Sequence, residues 1–228
     1  MQLAFLLFPG ITQLDVTGPA QFLSRLPGAK VDLVWENLDP VATDAGFSIL
    51  PTATFATLPQ ADLLCVPGGI GIASVIDHPT ALDWVRRVGA EAQWVTSVCT
   101  GALILGAAGL LRGYQATTHW AWHDLLAVFG AEPVHARTVF DRNRVTGGGV
   151  TAGIDFALAL MARIAGDDTA RAVQLALEYD PAPPFSAGHP DKAGVDLVDV
   201  YTRRADRLAP HRRSDLLAAA RRLGFAPA

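Results

Sequence analysis

The sequence predicts an α/β protein built as a doubly wound, mostly parallel sheet with helices on both faces. Short runs of apolar and β-branched residues, among them residues 3–8 and 63–66, alternate with longer segments of helical periodicity. Several of these runs end in a glycine-rich or small-residue turn that leads directly into a helix. Parallel strands joined by crossover helices have this pattern, because such strands are covered on both faces.

The composition is that of a globular chain. Of the 228 residues, 50% are hydrophobic and 18% are charged, which allows a sizeable core and argues against global disorder. We expect a single domain over residues 1–228, with a helical C-terminal extension from about residue 190. The net charge of −4 gives no reason to expect a nucleic acid or a membrane surface as a partner.

The cysteines and the N-terminus indicate a cytoplasmic protein. Two cysteines in a chain of this length do not make a disulfide framework, and Cys65 lies within the apolar run 63–66. Residues 3–8 form a run far shorter than the ~20 apolar residues that a membrane span needs. The run also lacks the basic lead of a signal peptide, so we interpret it as a first, buried strand.

The first 66 residues predict three strands, one helix and a small hairpin. Pro19 suits the first position of a helix over about 19–26, which leaves Asp15 in the loop after the first strand. Asp15 then lies at the carboxyl edge of the sheet, where ligand crevices open, although it is also suited to cap the helix. The second strand covers 30–36, the hairpin covers 41–50 with a break near 44–46, and the third strand covers 63–66.

The rest of the chain predicts mainly helices. They cover about 79–92, 122–129, the stretch from the glycines 147–149 to about 164, 168–178, 194–208 and 210–223, with short strands at 134–140 and 144–146. Residues 179–190 are proline-rich and irregular. The arginines of the last two helices fall on polar faces between leucines, and we interpret them as solvated helix surface. They are Arg203, Arg204, Arg207, Arg212, Arg213, Arg221 and Arg222.

The sharpest local feature is the passage from an apolar strand, residues 94–98, into a small-residue segment that begins at Gly101. No loop separates the two, so Cys99 lies at the apex of a strand-to-helix turn that lifts its side chain above the sheet. Free N–H groups and the dipole at a helix N-terminus favour the thiolate, and we therefore expect a lowered thiol pKa. The alternative is a buried structural cysteine in a core helix.

The strand-to-helix junctions should meet at the carboxyl edge of the sheet, where they suit addition of a thiolate to an electrophilic carbon. Cys99 is the candidate nucleophile. Asp15 is the candidate proton carrier, because a carboxyl beside a thiolate in a poorly solvated pocket has a raised pKa. Thr100 completes the catalytic set through its N–H, which can hold developing negative charge. The candidates for binding the substrate or the oxyanion are Gly69, Ile70, Gly148 and Val150.

Histidine and metal chemistry are not indicated. A cysteine hydrolase usually needs an imidazole beside its thiol, yet the residue after Cys99 is Thr100. The fold could bring His119 or His123 to the site, but we favour the interpretation of both as ordinary helix-face residues. No group of His, Cys, Asp and Glu has a recognisable metal-ligand spacing, so we expect no metal site.

Several motifs together resemble one superfamily over nearly the whole chain. Residues 97–102 (SVCTGA), 67–69 (PGG) and 116–120 (ATTHW) are similar to the PfpI/ThiJ superfamily of cysteine-containing, flavodoxin-like proteins. Within it, four further features resemble the isonitrile hydratases. They are residues 14–19 (LDVTGP), the pair Cys99-Thr100, residues 147–155 (GGGVTAGID) and residues 178–185 (EYDPAPPF).

The resemblance implies an enzyme, a lyase that adds water to an isonitrile, R–N≡C, to give an N-substituted formamide. It implies a homodimer that needs no cofactor, and it fits attack by the Cys99 thiolate through a thioimidate, with Asp15 carrying the proton. The protease-like branch of the superfamily has His after the cysteine and Glu in the first-strand loop. This chain has Thr100 and Asp15 there, so we do not expect peptidase activity.

The main alternative is a sensor. Ligand-sensing domains of AraC-type transcriptional regulators share the Cys-Thr-Gly elbow and the ATTHW stretch, and a DNA-binding module follows them. Here only two short helical segments follow Pro190, which we expect to be too little for that module. Two further hypotheses remain. The protein is then a stand-alone ligand or redox sensor, or it is another thiol enzyme of the superfamily.

Overall fold

The computed structural model describes residues 1–208 and 210–225 and has the predicted α/β architecture. Its strands are β1 (Gln2–Leu6), β2 (Lys30–Trp35), β3 (Val41–Ala42), β4 (Ser48–Ile49), β5 (Ala53–Thr54), β6 (Leu63–Val66), β7 (Trp94–Ser97), β8 (Gln115–Ala116), β9 (Glu132–Pro133), β10 (Thr138–Asp141) and β11 (Arg144–Gly147). Its helices are α1 (Gln13–Leu23), α2 (Ile72–Ile76), α3 (Pro79–Glu91), α4 (Gly101–Ala107), α5 (Leu125–Val128), α6 (Ala152–Ala165), α7 (Asp167–Ala176), α8 (Pro190–Ala193), α9 (Val195–Leu208) and α10 (Arg212–Arg222), with a 3-10 turn at Trp120–Trp122.

Seven strands form the central sheet, in the order β10-β11-β7-β6-β1-β2-β5. Neighbours are parallel except β10, which pairs antiparallel with β11 at one edge. From β1 the chain winds outward through β2 in one direction and through β6, β7 and β11 in the other. The carboxyl ends of β1 and β6 therefore flank the switch point at which such sheets open a crevice.

The central strands are apolar because both faces of the sheet are covered. Residues 3–6 of β1 and 63–66 of β6 are fully buried, which confirms the prediction of buried parallel strands. Helices α1, α6 and α7 pack together as one group, and α2, α3, α4 and α10 form another. None of the helices that the structure describes is both long and apolar enough to cross a membrane.

The first helix begins earlier than the sequence predicts. α1 starts at Gln13, so Pro19 lies inside the helix and Asp15 lies in its first turn, not in the preceding loop. Proline within a helix removes one hydrogen bond and normally disfavours this arrangement. Here the ring of Pro19 packs against α6, where a Cβ on Gly153 would lie 3.1 Å from its Cδ. The contact between the two helices overrides the local preference.

Two shorter segments also differ from the prediction. Residues 122–129 form no single helix, because the 3-10 turn and the one-turn α5 are separate elements. The strand predicted over 134–140 starts only at Thr138, since the Val134 N–H donates to the Ala116 carbonyl at 2.9 Å and thereby extends the β8-β9 ribbon. The two C-terminal segments form helices as predicted, and α10 buries Leu216 in the core.

Candidate active site

Cys99 lies in a strained turn between β7 and α4. Its φ is +54°, a left-handed backbone conformation that a residue with a side chain seldom adopts. The Cys99 N–H donates to the Gly148 carbonyl at 2.7 Å, and the Val98 N–H donates to the Val66 carbonyl at 3.1 Å. The Thr118 hydroxyl donates to the Cys99 carbonyl at 2.6 Å. The predicted strand-to-helix elbow is confirmed.

The glycine that follows the elbow is required by the close approach of the chain after β6. A Cβ atom on Gly101 would lie 2.0 Å from the Val66 carbonyl oxygen and 2.7 Å from the Pro67 carbonyl oxygen. Such contacts cannot form unless the backbone moves, so only glycine fits this position without strain. The elbow is therefore held directly beside the glycine-rich loop 67–71.

Asp15 reaches the elbow from the first turn of α1. Its side chain is fully buried, and its Oδ2 accepts a hydrogen bond from the Gly68 N–H at 2.8 Å. Its Oδ1 has no donor among the described residues. Loss of hydration raises the pKa of Asp15 to about 7, and the charge of Asp44 acts in the same direction. The direction of the pKa shift is the predicted one, but its cause is burial, since the contact with Cys99 acts to lower the pKa. Asp15 does not cap α1, whose N-cap residue is Thr12.

Thr100 joins the elbow to the glycine-rich loop. The Gly69 N–H donates to Thr100 Oγ1 at 3.2 Å, so this N–H is engaged within the protein and is not a bare donor. The Thr100 N–H, by contrast, has no oxygen acceptor among the described residues, whereas the Ile70 N–H faces the Gly10 carbonyl across the bridge between Ile11 and Gly69. Both the N–H and the hydroxyl of Thr100 lie close to the Cys99 sulfur, where they favour the thiolate.

Burial dominates the ionisation of Cys99. The residue is 6% exposed, and desolvation together with the charge of Asp15 raises the thiol pKa well above its usual range. Thr100 and the Arg212 guanidinium act in the opposite direction without reversing the shift. The prediction of a lowered thiol pKa is therefore wrong, because the terminus of a seven-residue helix offsets less than the loss of hydration costs.

Cys99 lines a cavity of about 190 Å³ at the carboxyl edge of the sheet. The predicted residues that line the cavity beside it are Gly69, Ile70, Thr100 and Val150. Gly148 lies behind the elbow: its carbonyl holds the Cys99 N–H, and its own N–H donates to the Arg137 carbonyl at 2.9 Å. The cavity also has walls that the sequence reasoning missed, namely Thr12, Asp44, His119, Trp122, Tyr201 and Arg212.

His119 reaches the cavity, which corrects its interpretation as a helix-face residue. It lies just before the 3-10 turn, and Tyr201 of α9 stacks on it with 6.0 Å between ring centroids. Burial and the nearby charge of Arg212 lower the pKa of His119 to about 4, so its ring is neutral at pH 7. His123 instead stacks on His135, with ring centroids 3.7 Å apart.

Arg212 of α10 departs most from the sequence-based interpretation, which assigns it to the solvated helix surface. Its Nη2 donates to the Gly69 carbonyl at 2.6 Å and to Thr100 Oγ1 at 3.3 Å. Its guanidinium also lies over the Trp122 ring, 4.4 Å from the ring centroid. Nothing in the local sequence distinguishes Arg212 from Arg213, because only the docking of α10 decides which side chain faces the cavity.

The arrangement suits the addition of a thiol across a polar multiple bond. Cys99 offers the sulfur, and Asp15 offers a carboxyl whose pKa of about 7 lets it both give and take a proton near neutral pH. The Thr100 N–H can hold negative charge. Within residues 1–208 and 210–225, no group of three or more His, Cys, Asp and Glu side chains is arranged to hold a metal ion.

Comparison with known proteins decides the family. Residues 1–163 match the sequence model of the DJ-1/PfpI family. The chain belongs to this family. A solved structure of a ThiJ/PfpI family protein from Pseudomonas syringae has a TM-score of 0.89 and 45% identity, covering 96% of this chain and 90% of that one. The resemblance to the PfpI/ThiJ superfamily and the flavodoxin-like fold class are confirmed.

Curated proteins similar to this chain include an enzyme and a regulator. Isonitrile hydratase from Pseudomonas putida is 54% identical over 205 residues, which are 90% of either chain. The HTH-type transcriptional regulator GbdR from Pseudomonas aeruginosa is 31% identical over 191 residues, which cover 78% of this chain but only 50% of the regulator. The similarity to the enzyme thus extends over nearly all of both chains, whereas that to the regulator covers half of its length.

Proposed function

We propose that this DJ-1/PfpI protein is an isonitrile hydratase, a lyase that converts R–N≡C and water into an N-substituted formamide. The observation that carries the proposal is the contact of Cys99, which lines the cavity, with the Asp15 carboxyl, which is buried behind it and has a pKa of about 7. The 54% identity to the Pseudomonas putida enzyme, over 90% of both chains, supports it.

The first step forms a thioimidate. Asp15 and Cys99 share one negative charge, since two charges in one desolvated pocket repel each other. In the reactive form Asp15 holds the proton and Cys99 is the thiolate. The sulfur attacks the isonitrile carbon, Asp15 gives its proton to that carbon, and R–N=CH–S–Cys99 results with Asp15 ionised. No amine leaves in this step, so no imidazolium is required.

The second step hydrolyses the thioimidate. Water adds to the thioimidate carbon while the Asp15 carboxylate takes one of its protons and passes it to the nitrogen. The C–S bond then breaks, the hydroxyl proton moves to Asp15, and R–NH–CHO leaves with Cys99 again a thiolate. The Thr100 N–H supports this step, because it can stabilise charge on the attacking oxygen once the sulfur is no longer an anion. His119 is neutral and takes no part as an acid.

The direct test is turnover of a simple aryl isonitrile by the purified protein, with chromatographic detection of the formamide. Cys99→Ala serves as the matched control for spontaneous hydration. Formamide produced by wild type and not by Cys99→Ala would support the proposal. Tight binding of isonitriles without turnover would favour a ligand sensor, the second candidate, which the similarity to GbdR supports.

The proposal includes the oligomeric state of the enzyme, its cofactor requirement and its cellular location. We propose a homodimer that works without a cofactor in the cytoplasm and has one domain over residues 1–228. Two free, buried cysteines are compatible with a reducing compartment. Sedimentation at micromolar concentration should give twice the chain mass of 24.1 kDa, and a clean monomer would contradict the dimer.

A further inference from the structure

The last two helices complete the site although they lie outside the part of the chain that matches the family model. That match covers residues 1–163, whereas Tyr201 of α9 and Arg212 of α10 both line the cavity. α10 is firmly docked, since Leu216 is fully buried and Arg213 pairs with Asp124. Arg212 is therefore presented to the elbow from a fixed helix.

The guanidinium of Arg212 interacts electrostatically with Cys99, the proposed nucleophile. The groups whose charges act on the guanidinium are the Cys99 thiol and the Tyr201 phenol, and among the described residues no carboxylate is paired with it. Its Nε is also buried without a hydrogen-bond acceptor in the described part of the chain. A half-buried cation without a carboxylate is costly unless another anion compensates it. The anion that can form here is the Cys99 thiolate.

The hydrogen bonds around Thr100 give Arg212 a geometric role. A hydroxyl has two acceptor lone pairs and one donor hydrogen. Thr100 Oγ1 accepts from the Gly69 N–H at 3.2 Å and from Arg212 Nη2 at 3.3 Å, so both lone pairs are occupied. Its hydrogen must point elsewhere, and the hydroxyl belongs to the residue next to Cys99, whose thiolate it favours.

We propose that Arg212 is a positioning residue of the active site that holds the Thr100 hydroxyl as a donor toward the Cys99 sulfur. The proposal rests on the proposed function in one respect, because it assigns Arg212 to the formation of the nucleophile of that reaction. Without Arg212, one lone pair of Thr100 Oγ1 becomes free and the hydroxyl can rotate away. The thiolate then loses a donor and a nearby positive charge.

Other ionisable groups around Cys99 come from several elements. Asp15 of α1 faces the thiol and opposes its ionisation, and Asp44 acts through Asp15. Arg212 also acts on His119 and Tyr201, but burial is the larger cause of both pKa shifts and does not depend on Arg212. We therefore expect both rings to stay neutral near pH 7 when Arg212 is replaced, and a change in the ionisation of Cys99 is assigned to Arg212.

The test is the rate at which iodoacetamide alkylates Cys99 as a function of pH, followed by mass spectrometry of the Cys99 peptide. In Arg212→Met we expect the profile to move by about one pH unit to higher pH, so that the rate on its rising limb falls roughly tenfold. In a Thr100→Val background the same replacement should have a much smaller effect, because the hydroxyl that it orients is gone.

Arg213→Met is the matched control, since it removes the neighbouring arginine and its ion pair with Asp124. Its profile should match wild type, and an equal shift would overturn the proposal by assigning the effect to loosening of α10. An unshifted profile in folded Arg212→Met, or a full effect in the Thr100→Val background, would also overturn it. If Arg212→Met does not fold, Arg212→Leu takes its place in the same comparison, because it also removes both the charge and the donors.

Alkylation needs no isonitrile, so the two proposals fail separately. Absence of formamide contradicts the hydratase, whereas an unshifted alkylation profile contradicts the role of Arg212. If the enzyme does turn over isonitriles, we expect Arg212→Met to lower kcat more than it raises KM, because Arg212 acts on the nucleophile. A fall in kcat and a rise in KM by the same factor would contradict a role in forming the thiolate.

Discussion

Cys65 and Cys99 are both buried, yet their surroundings differ in every respect that matters for chemistry. Cys65 lies within β6, paired with Phe5 of β1 and Thr96 of β7, in a regular strand. Cys99 lies outside any regular element, with a φ of +54°, and lines a cavity. The backbone strain at Cys99 is the cost of bringing a sulfur to the edge of a sheet that otherwise buries it.

Burial raises the pKa of both thiols, but the groups that act on each thiol besides burial differ. Desolvation raises the pKa of Cys65 to about 12, and only the Thr96 hydroxyl opposes it. Desolvation and the charge of Asp15 raise the pKa of Cys99 even further, although two groups of Thr100 and the guanidinium of Arg212 act against the shift. What Cys65 lacks is therefore not burial but a cavity, stabilising donors and Asp15 as a proton partner.

The largest difference in activity should appear when each of the two cysteines is replaced by alanine in turn. Cys99→Ala should abolish formamide production, because no other sulfur reaches the cavity from the described residues. Cys65→Ala should keep turnover within a few-fold of wild type. Mass spectrometry of enzyme quenched during turnover should find a substrate-sized adduct on Cys99 and none on Cys65. Full activity in Cys99→Ala would remove the covalent mechanism.

Next in size is the loss of the proton partner that Cys65 lacks. Asp15→Asn keeps the shape of the side chain but removes proton transfer, which should lower kcat by about 10²–10⁴-fold. Thermal unfolding should show that the variant is folded. Turnover within a few-fold of wild type would mean that Asp15 is structural, and the contrast between the two thiols would then rest on Thr100 and Arg212 alone.

Asp15 should also give stability a specific pH dependence. Its pKa is about 7 in the folded protein against 3.8 for an ordinary aspartate, so the folded state binds an extra proton between these values. The stability that this protonated carboxyl contributes is complete below about pH 4 and is lost as the pH rises through 7. The full effect is at most about 4 kcal/mol.

Urea unfolding of wild type and Asp15→Asn between pH 4 and 7.5 measures this effect. The free energy of unfolding of wild type should fall relative to the variant as the pH rises, and the difference should level off above pH 7. Parallel curves would show that the carboxyl is better hydrated than its burial implies. They would also weaken the role of Asp15 in setting Cys99 apart.

The smallest expected effect concerns the backbone that separates the two cysteines. Gly101→Ala should destabilise the fold by about 1–3 kcal/mol, because the new Cβ would meet the Val66 carbonyl oxygen, next to Cys65, at 2.0 Å. Gly149→Ala is the control, since the nearest atom to its Cβ would be His119 Cδ2 at 3.5 Å. Equal stability of both variants in urea unfolding would contradict the close approach of the elbow to β6.

Much of the site was predictable because its parts follow strands directly. Asp15, Gly69, Ile70 and Cys99 each come within a few residues of a strand end or begin the next helix, and parallel strands bring such positions to one edge. The raised pKa of Asp15 followed from the same reasoning, since a carboxyl at that edge is desolvated by its neighbours. The order of the strands in the sheet did not need to be known.

The errors have a different origin. Pro19 is a good first residue of a helix in isolation, but packing of α1 on α6 places it in the interior. The lowered pKa expected for Cys99 followed from its helix terminus, which is local, whereas its burial depends on helices far along the chain. His119 lay in a segment of ambiguous structure, so the direction of its ring was not predictable.

The sequence by itself determined the sheet class, the elbow at Cys99 and the carboxyl at Asp15, because apolar runs, small residues and turn residues act over a few neighbouring positions. Only the tertiary structure decided that Arg212 meets Gly69 and Thr100, which lie more than a hundred residues away in the chain. Arg213, the next residue of α10, has the same local pattern as Arg212. Which of them enters the cavity depends on the angle at which the buried face of the helix docks, and that angle is set by the whole core.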